Sequence, residues 1–150
     1  MMARNTKLLG LDEVQRNLSD AISNIKGNVK SGVSAGGQLI KGEAQKLTPV
    51  DEGTLRLSAF SKQTGTDDSP RATVGYTAEY AAAVHEAPMT LKGQPRADFA
   101  QTSAGEQFGG GSGKGKYWDG GENKFLEKAV LRNLTPLINL IAKIAGRNPK

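Results

Sequence analysis

The chain has 150 residues, 20 Lys and Arg against 15 Asp and Glu, and is 37% apolar but only 5% aromatic. That is one domain's worth of sequence, and a chain of this size buries about 68% of the surface it exposes unfolded, so its core is thin. It has no Cys and a single His, which excludes disulfide frameworks, thiolate metal centres, iron–sulfur clusters, Cys nucleophiles and a His-only metal cluster within one chain.

The net charge of +5 is unevenly spread. Residues 1–50 carry seven basic and four acidic groups, 51–87 three and six, 88–121 four and three, and 122–150 six and two. Both ends are basic and the middle is acidic. A solvated surface accounts for such a pattern; the sharper reading is that the ends face a polyanion and the middle faces protein. The apolar runs are only a few residues long, so no membrane span is expected. Only Leu8-Leu9 follow the basic start, which predicts no signal peptide.

In the N-terminal third, Leu11, Val14, Leu18, Ile22, Ile25, Val29, Val33, Gly36, Ile40, Ala44 and Leu47 recur at steps of three and four, the period of an amphipathic helix. Asp12 and Glu13 favour its first turn, and Pro49 marks its end. Gly27, Gly32, Gly36, Gly37 and Gly42 each cost roughly 0.5–1 kcal/mol in a helix interior. An unbroken helix over 11–47 would be about 55 Å long, so a break or kink near Gly32–Gly37 is expected, the alternative being a helix that runs beyond the domain body. Val50 to Thr54 reads as a turn, with Gly53 free to take a positive φ. Alternation of Leu55, Leu57, Ala59 and Ser61 with Arg56, Ser58, Phe60 and Lys62 predicts a strand over 55–63. A connection over 64–70 leads to a second strand, 71–76, and so to an antiparallel hairpin. Residues 78–86 are Ala-rich and read as a short helix. Nine Gly in the 34 residues of 88–121 predict a long loop, with 101–121 flexible. From Glu122 a second stripe, Leu126, Val130, Leu134, Leu137, Ile141 and Ile144, predicts a helix that Pro136 kinks or splits. The whole is read as one domain, 1–150.

As chemistry, little stands out. The Gly109–Lys116 run lacks the GxxxxGK[ST] pattern of a phosphate loop. His85-Glu86 could form an acid–base pair, yet adjacent helical residues point in different directions, and a structural or interface His is the better reading. Asp51-Glu52 fits turn chemistry, and Asp67-Asp68 a solvated hairpin loop. Lys114, Lys116, Tyr117 and Trp118 mix basic and aromatic groups as single-strand binders do, but Tyr117, Trp118 and Phe125 fit better as protein-interface anchors. No catalytic, cofactor or metal site is expected.

The order of three segments is more informative. Ala44-Gln45-Lys46-Leu47-Thr48-Pro49-Val50-Asp51-Glu52-Gly53-Thr54-Leu55-Arg56-Leu57-Ser58 resembles the A-K-x-x-x-P-V-D-T-G-x-L-R-x-S signature of small tailed-phage virion proteins, called minor capsid, neck or tail-completion proteins. Val74-Gly75-Tyr76 and Glu79 to Glu86 are similar to that family's V-G-x…Y-A-x-x-V-H-E segment, and Gly121 to Val130 resembles its G-x-x-K-F-L-E-x-A-L helix start. The resemblance singles out the turn residues Pro49, Asp51, Gly53, Leu55 and Arg56, and Tyr80, His85 and Glu86 in the second block. It implies an α+β fold: a long N-terminal helical segment, a small antiparallel sheet and a C-terminal helix. In that fold Asp51 accepts backbone N–H groups in the turn, Leu55 and Leu57 face the core, Arg56 faces outward, and Tyr80, Val84 and Phe125 complete the core.

The function implied is a virion structural protein of the neck, assembled in the host cytoplasm, that completes the tail and joins it to the head. Its expected partners are further copies of itself in a ring, a hexamer rather than a dodecamer, neighbouring head-closure or connector proteins, tail terminator or tube proteins, and DNA passing non-specifically through the lumen. Lys124, Lys128 and Arg132, four residues apart, would share a helix face toward DNA or an acidic subunit, leaving Leu126, Val130, Leu134 and Leu137 for the core. The alternative is a non-specific nucleoid-type nucleic-acid-binding protein.

Overall fold

A computed structural model of the chain describes residues 10–49, 53–88 and 120–146. The elements run α1 (Leu11–Leu47), α2 (Thr54–Leu57), β1 (Ala59–Gly65), β2 (Pro70–Tyr76), α3 (Ala81–Glu86), α4 (Phe125–Arg132) and α5 (Leu134–Ala145). The predicted α+β class is observed, with the helices dominant and the sheet reduced to one hairpin.

The expected break in the first helix is absent. α1 runs through Gly32–Gly37 as 37 continuous helical residues, about 55 Å at 1.5 Å per residue. The glycines that argue for a break are where neighbours close in on the helix. A Cβ on Gly36 would stand 2.6 Å from Leu137 Cδ1, and one on Gly32 3.2 Å from the Ile141 carbonyl oxygen. On the other side, a Cβ on Gly37 would meet Ser61 Oγ at 2.6 Å and Ala72 Cβ at 2.9 Å. Gly32, Gly36 and Gly37 are all buried, so close packing offsets their intrinsic cost as helix formers. The second alternative holds instead: the N-terminal part of α1, residues 11–25, is exposed beyond the packed body.

The strand expected over 55–63 is also corrected. Gly53 takes φ 84° and begins a single helical turn, α2, which closes with Leu57 N–H donating to the Gly53 carbonyl at 2.9 Å. A helical turn separates residues 55 and 57 onto different faces, so Leu55 is buried while Leu57 is 82% exposed. The strand starts four residues later than expected, at Ala59. Antiparallel pairing runs from Ala59 opposite Tyr76 to Gly65 opposite Pro70.

A two-stranded hairpin is marginal alone in water; here α1 supplies the surface beneath it. Gly37 seats Ser61 and Ala72, Gln63 Nε2 donates to the Lys30 carbonyl at 2.9 Å, and the tip is fastened by Lys26–Asp68 at 2.5 Å and Lys30–Asp67 at 2.6 Å. Asp67 and Asp68, expected to be merely solvated, thus pair with α1. The pairs are exposed and contribute little energy, but they fix where the tip lies.

The split at the C-terminal end follows Pro136. It occupies the third position of α5, where a missing N–H costs nothing. Helical bonding is interrupted at Asn133, whose N–H reaches only Val130 at 3.2 Å, and resumes with Leu137 N–H to the Asn133 carbonyl at 2.8 Å. The face buried in α4 is Phe125 and Ala129, not the expected stripe of Leu126, Val130 and Leu134; Val130 and Leu134 are exposed. Leu137 at Gly36 and Ile141 at Gly32 make α5 antiparallel to α1. The loop expected over 88–121 and the flexibility expected at 101–121 fall almost wholly outside the described residues.

This packing predicts opposite signs for two kinds of glycine substitution. Gly27→Ala and Gly42→Ala, where an added Cβ meets nothing within 4 Å, should stabilise by about 0.5–1 kcal/mol. Gly37→Ala should lower the melting temperature because the hairpin must move. Thermal denaturation decides; a Gly37→Ala protein as stable as Gly42→Ala would show that the hairpin does not rest on α1.

Candidate functional site

The three segments singled out in the sequence meet at one corner of the fold. Leu55 from the first, Ala81 from the second and Phe125 from the third form a single buried cluster. Leu47, Tyr76, Ala78, Tyr80, Val84 and Leu126 pack around it. Phe125, read from the sequence both as an interface anchor and as part of the core, is 1% exposed within one copy, so the core reading holds: the α4 backbone turns its ring inward. The ring meets Tyr76 edge-on at 5.0 Å between centroids and His85 at 4.9 Å, the T-shaped geometry that aromatic quadrupoles favour. An open apolar groove of about 200 Å³ beside it is lined by Tyr76, Ala81, Ala82, His85, Phe125 and Leu126.

Backbone hydrogen bonds hold the segment before α4 across this corner. Glu122 N–H donates to the Leu47 carbonyl at the end of α1 at 2.9 Å, and Lys124 N–H to the His85 carbonyl at the end of α3 at 2.7 Å. Each bond satisfies a carbonyl that a helix terminus leaves open. Gly121 lies so close to the Pro49 backbone that any Cβ there would overlap it. Lys124 pays for the corner with a left-handed φ of 49°, unusual for a residue with a Cβ.

A second layer is polar. Thr48 is fully buried. Its hydroxyl reaches the Ala44 carbonyl at 2.7 Å and the Tyr76 hydroxyl at 2.7 Å. With its one proton committed to Ala44, Thr48 accepts from Tyr76. Burial pushes the Tyr76 hydroxyl above its ordinary pKa, against the opposing pull of the Thr48 hydrogen bond and the Arg56 charge. Arg56, expected to face outward, turns back: its Nη2 donates to the Thr48 carbonyl at 3.3 Å while Gln45 Nε2 donates to the Arg56 carbonyl at 2.8 Å. The helical turn of α2 rather than a strand is what swings it inward. Arg56 Nε and His85 Nε2 are buried with no hydrogen-bond partner among the described residues. His85 and Glu86, expected to diverge, meet at 2.7 Å through Nδ1 and Oε1.

The basic residues expected to share a free face are tied down. Arg132 makes two hydrogen bonds to the Glu122 carboxylate, both 2.9 Å, and Lys128 a third at 3.1 Å. These donors, Arg132 first and then Lys128, pull Glu122 down to a pKa of about 2. Lys124 sits 3.4 Å from Glu127 and precedes the helix rather than lying on it. Pro49 packs at the corner beneath Gly121; Asp51, Tyr117 and Trp118 lie outside the described residues. Sequence reasoning missed Thr48, Tyr76 and Glu122, since a lone Thr, Tyr or Glu carries no signal of a partner tens of residues away.

The corner is thus a packing junction, built from apolar rings, helix ends and one carboxylate clamp. Among the described residues no group of three or more His, Cys, Asp or Glu is placed to hold a metal ion, and no helix is long and apolar enough to cross a membrane. Comparison with known families gives the class. Residues 12–85, just under half of the chain, match the model of the HK97-gp10-like family, described as "Bacteriophage HK97-gp10, putative tail-component". The match, to a family described as a phage tail component, supports a tailed-phage head–tail or tail family. It spans the first two sequence blocks; the third lies beyond it but packs onto both. No curated protein and no solved structure matches.

Two outcomes follow. Gly53→Val should cost about 1–2 kcal/mol, because a β-branched residue is forced into a left-handed conformation; an unchanged melting temperature would mean that the turn adopts another backbone path. The Glu122 clamp should appear in acid. Its pKa is lowered in the folded state, so the unfolded chain binds the proton first and stability falls as pH drops. The contribution is complete above the ordinary carboxylate value of 4.5 and disappears as pH falls to about 2. Solvent screens an exposed clamp, so the expected effect is a small extra loss of melting temperature between pH 5 and 2 that Glu122→Gln removes. Identical acid profiles for the two proteins would contradict it.

Proposed function

We propose that the protein acts in the neck of the virion, completing the tail and joining it to the head as one subunit of a ring around the DNA path. The observation that carries this reading is the family match to a tail component over α1, the hairpin and α3. The junction that locks the third block onto these elements supports it, since a joining protein must transmit load without coming apart. A hexamer is favoured over a dodecamer, with head-closure or connector proteins on one side, tail terminator or tube proteins on the other, and assembly in the host cytoplasm. DNA in the lumen would be met without base reading.

The nucleoid-type alternative needs many free cations. Lys26, Lys30, Lys128 and Arg132 are each paired with a carboxylate of the same chain, which favours the neck reading.

The test is to remove the coding sequence from the phage that carries it and to image the lysate. DNA-filled heads and separate tails should accumulate, and adding the purified protein should restore joined, infectious particles. Joined particles formed without the protein would overturn the proposal; loss of chromosome compaction with normal particles would favour the alternative.

A further inference from the structure

Successive residues of a strand point to opposite sides of the sheet, and the register of the hairpin gives it two unlike faces. Toward α1 it turns Ala59, Ser61 and Gln63 with their partners Tyr76, Val74 and Ala72. Ser61 and Ala72 close on Gly37, Gln63 bonds to the Lys30 carbonyl and Tyr76 to Thr48. The other face holds the pairs Phe60–Gly75, Lys62–Thr73 and Thr64–Arg71. Lys62, Thr64, Arg71 and Thr73 are all exposed. The Phe60 ring lies against Gly75, where an added Cβ would stand 3.0 Å from it.

The outer face carries two cations and no carboxylate. The acidic residues of the hairpin, Asp67 and Asp68 at its tip, are drawn to Lys30 and Lys26 on α1. Among the described residues neither Lys62 nor Arg71 has an ion-pair partner, whereas Lys124, Lys128 and Arg132 are held by Glu127 and Glu122. Lys62 and Arg71 are diagonal cross-strand neighbours, roughly 7–8 Å apart, with the Thr73 and Thr64 hydroxyls directly opposite them. A protein interface is built on an apolar centre, and the one apolar side chain on this face is Phe60, half-buried against Gly75. A phosphate backbone needs only cations and hydroxyl donors. We infer that the outer face of the β1–β2 hairpin meets the phosphates of duplex DNA, with Lys62 and Arg71 as the charges and Thr64 and Thr73 as hydroxyl donors. The inference deepens the neck reading and rests on it for the DNA path. Two cations in one copy hold a duplex weakly, and a ring repeats the face around it, so that the contacts reinforce one another. Such a grip is independent of sequence and lets DNA slide.

The test is the affinity of the purified protein for a random-sequence duplex, measured across a salt series. In Lys62→Gln/Arg71→Gln the slope of log affinity against log salt should be shallower by about 1.8, two phosphate contacts at about 0.9 each. Circular dichroism should match the wild type, because both positions are exposed. Arg16→Gln/Lys143→Gln removes the same charge from exposed positions elsewhere and should keep the wild-type slope. An equal loss in both variants would reduce the effect to net charge and overturn the inference, as would an unchanged slope in the first variant or no binding by the wild type. The chain has no Cys, so Lys62→Cys carries a photoactivated aryl azide at that one site. In joined particles it should link to DNA; linkage to protein alone would make the partner an acidic subunit and overturn the assignment. That failure, in particles that still need the protein for joining, leaves the neck reading standing. A slope loss confined to the hairpin variant, with particles that join without the protein, would keep the face and remove the neck.

Discussion

Burial of the Phe125 ring between Leu55, Ala81, Tyr76 and His85 is the constraint on which the rest of the structure depends. Phe125 lies beyond residues 89–119, far along the chain from the elements it joins. With it seated, the start of α4 is held against the ends of α1 and α3, and α5 can then lie back along α1. A chain with 5% aromatic residues has few rings to spend, and placing one at the junction of three segments gives it the largest structural return.

The same seating explains the backbone around it. Glu122 and Lys124 donate to the last carbonyls of two different helices, so the segment before α4 acts as a shared C-terminal cap. Capping two helices with consecutive turns requires a sharp corner, and Lys124 supplies it at the cost of a left-handed φ. Close approach of Gly121 to Pro49 completes the joint. The carboxylate of Glu122 then gathers Lys128 and Arg132, turning what reads as a basic stripe into an internal clamp. Such a joint fixes the three segments to one another within one copy.

Much of this was legible in the residues, and the failures have physical causes. The stripe from Leu11 to Leu47 announces a helix, and the turn chemistry of Gly53 announces a left-handed corner. The glycines at 32–37 mislead because intrinsic propensity counts their cost in isolation, whereas here they admit Leu137, Ile141 and the hairpin at close range. Leu55 and Leu57 mislead because four residues are too few to separate a period of two from a single helical turn. The corner itself was visible as three motifs in order, but not as a contact: nothing in a linear pattern says that residue 125 touches residues 55 and 81. Pairings such as Thr48 with Tyr76 and Glu122 with Arg132 join ordinary polar residues over long separations, and only the fold brings them together.

The central claim is that the three blocks are energetically one unit, and a double-mutant cycle tests it most directly. Leu55→Ala, Phe125→Ala and the double variant would be unfolded in urea. Large-to-small changes at such sites cost about 2–5 kcal/mol each. If the two side chains share one cavity, the effects should fall short of additive by about 0.5–3 kcal/mol. Strict additivity, within about 0.3–0.5 kcal/mol, would mean that Phe125 does not pack on Leu55 and that the C-terminal helices are not held at this corner.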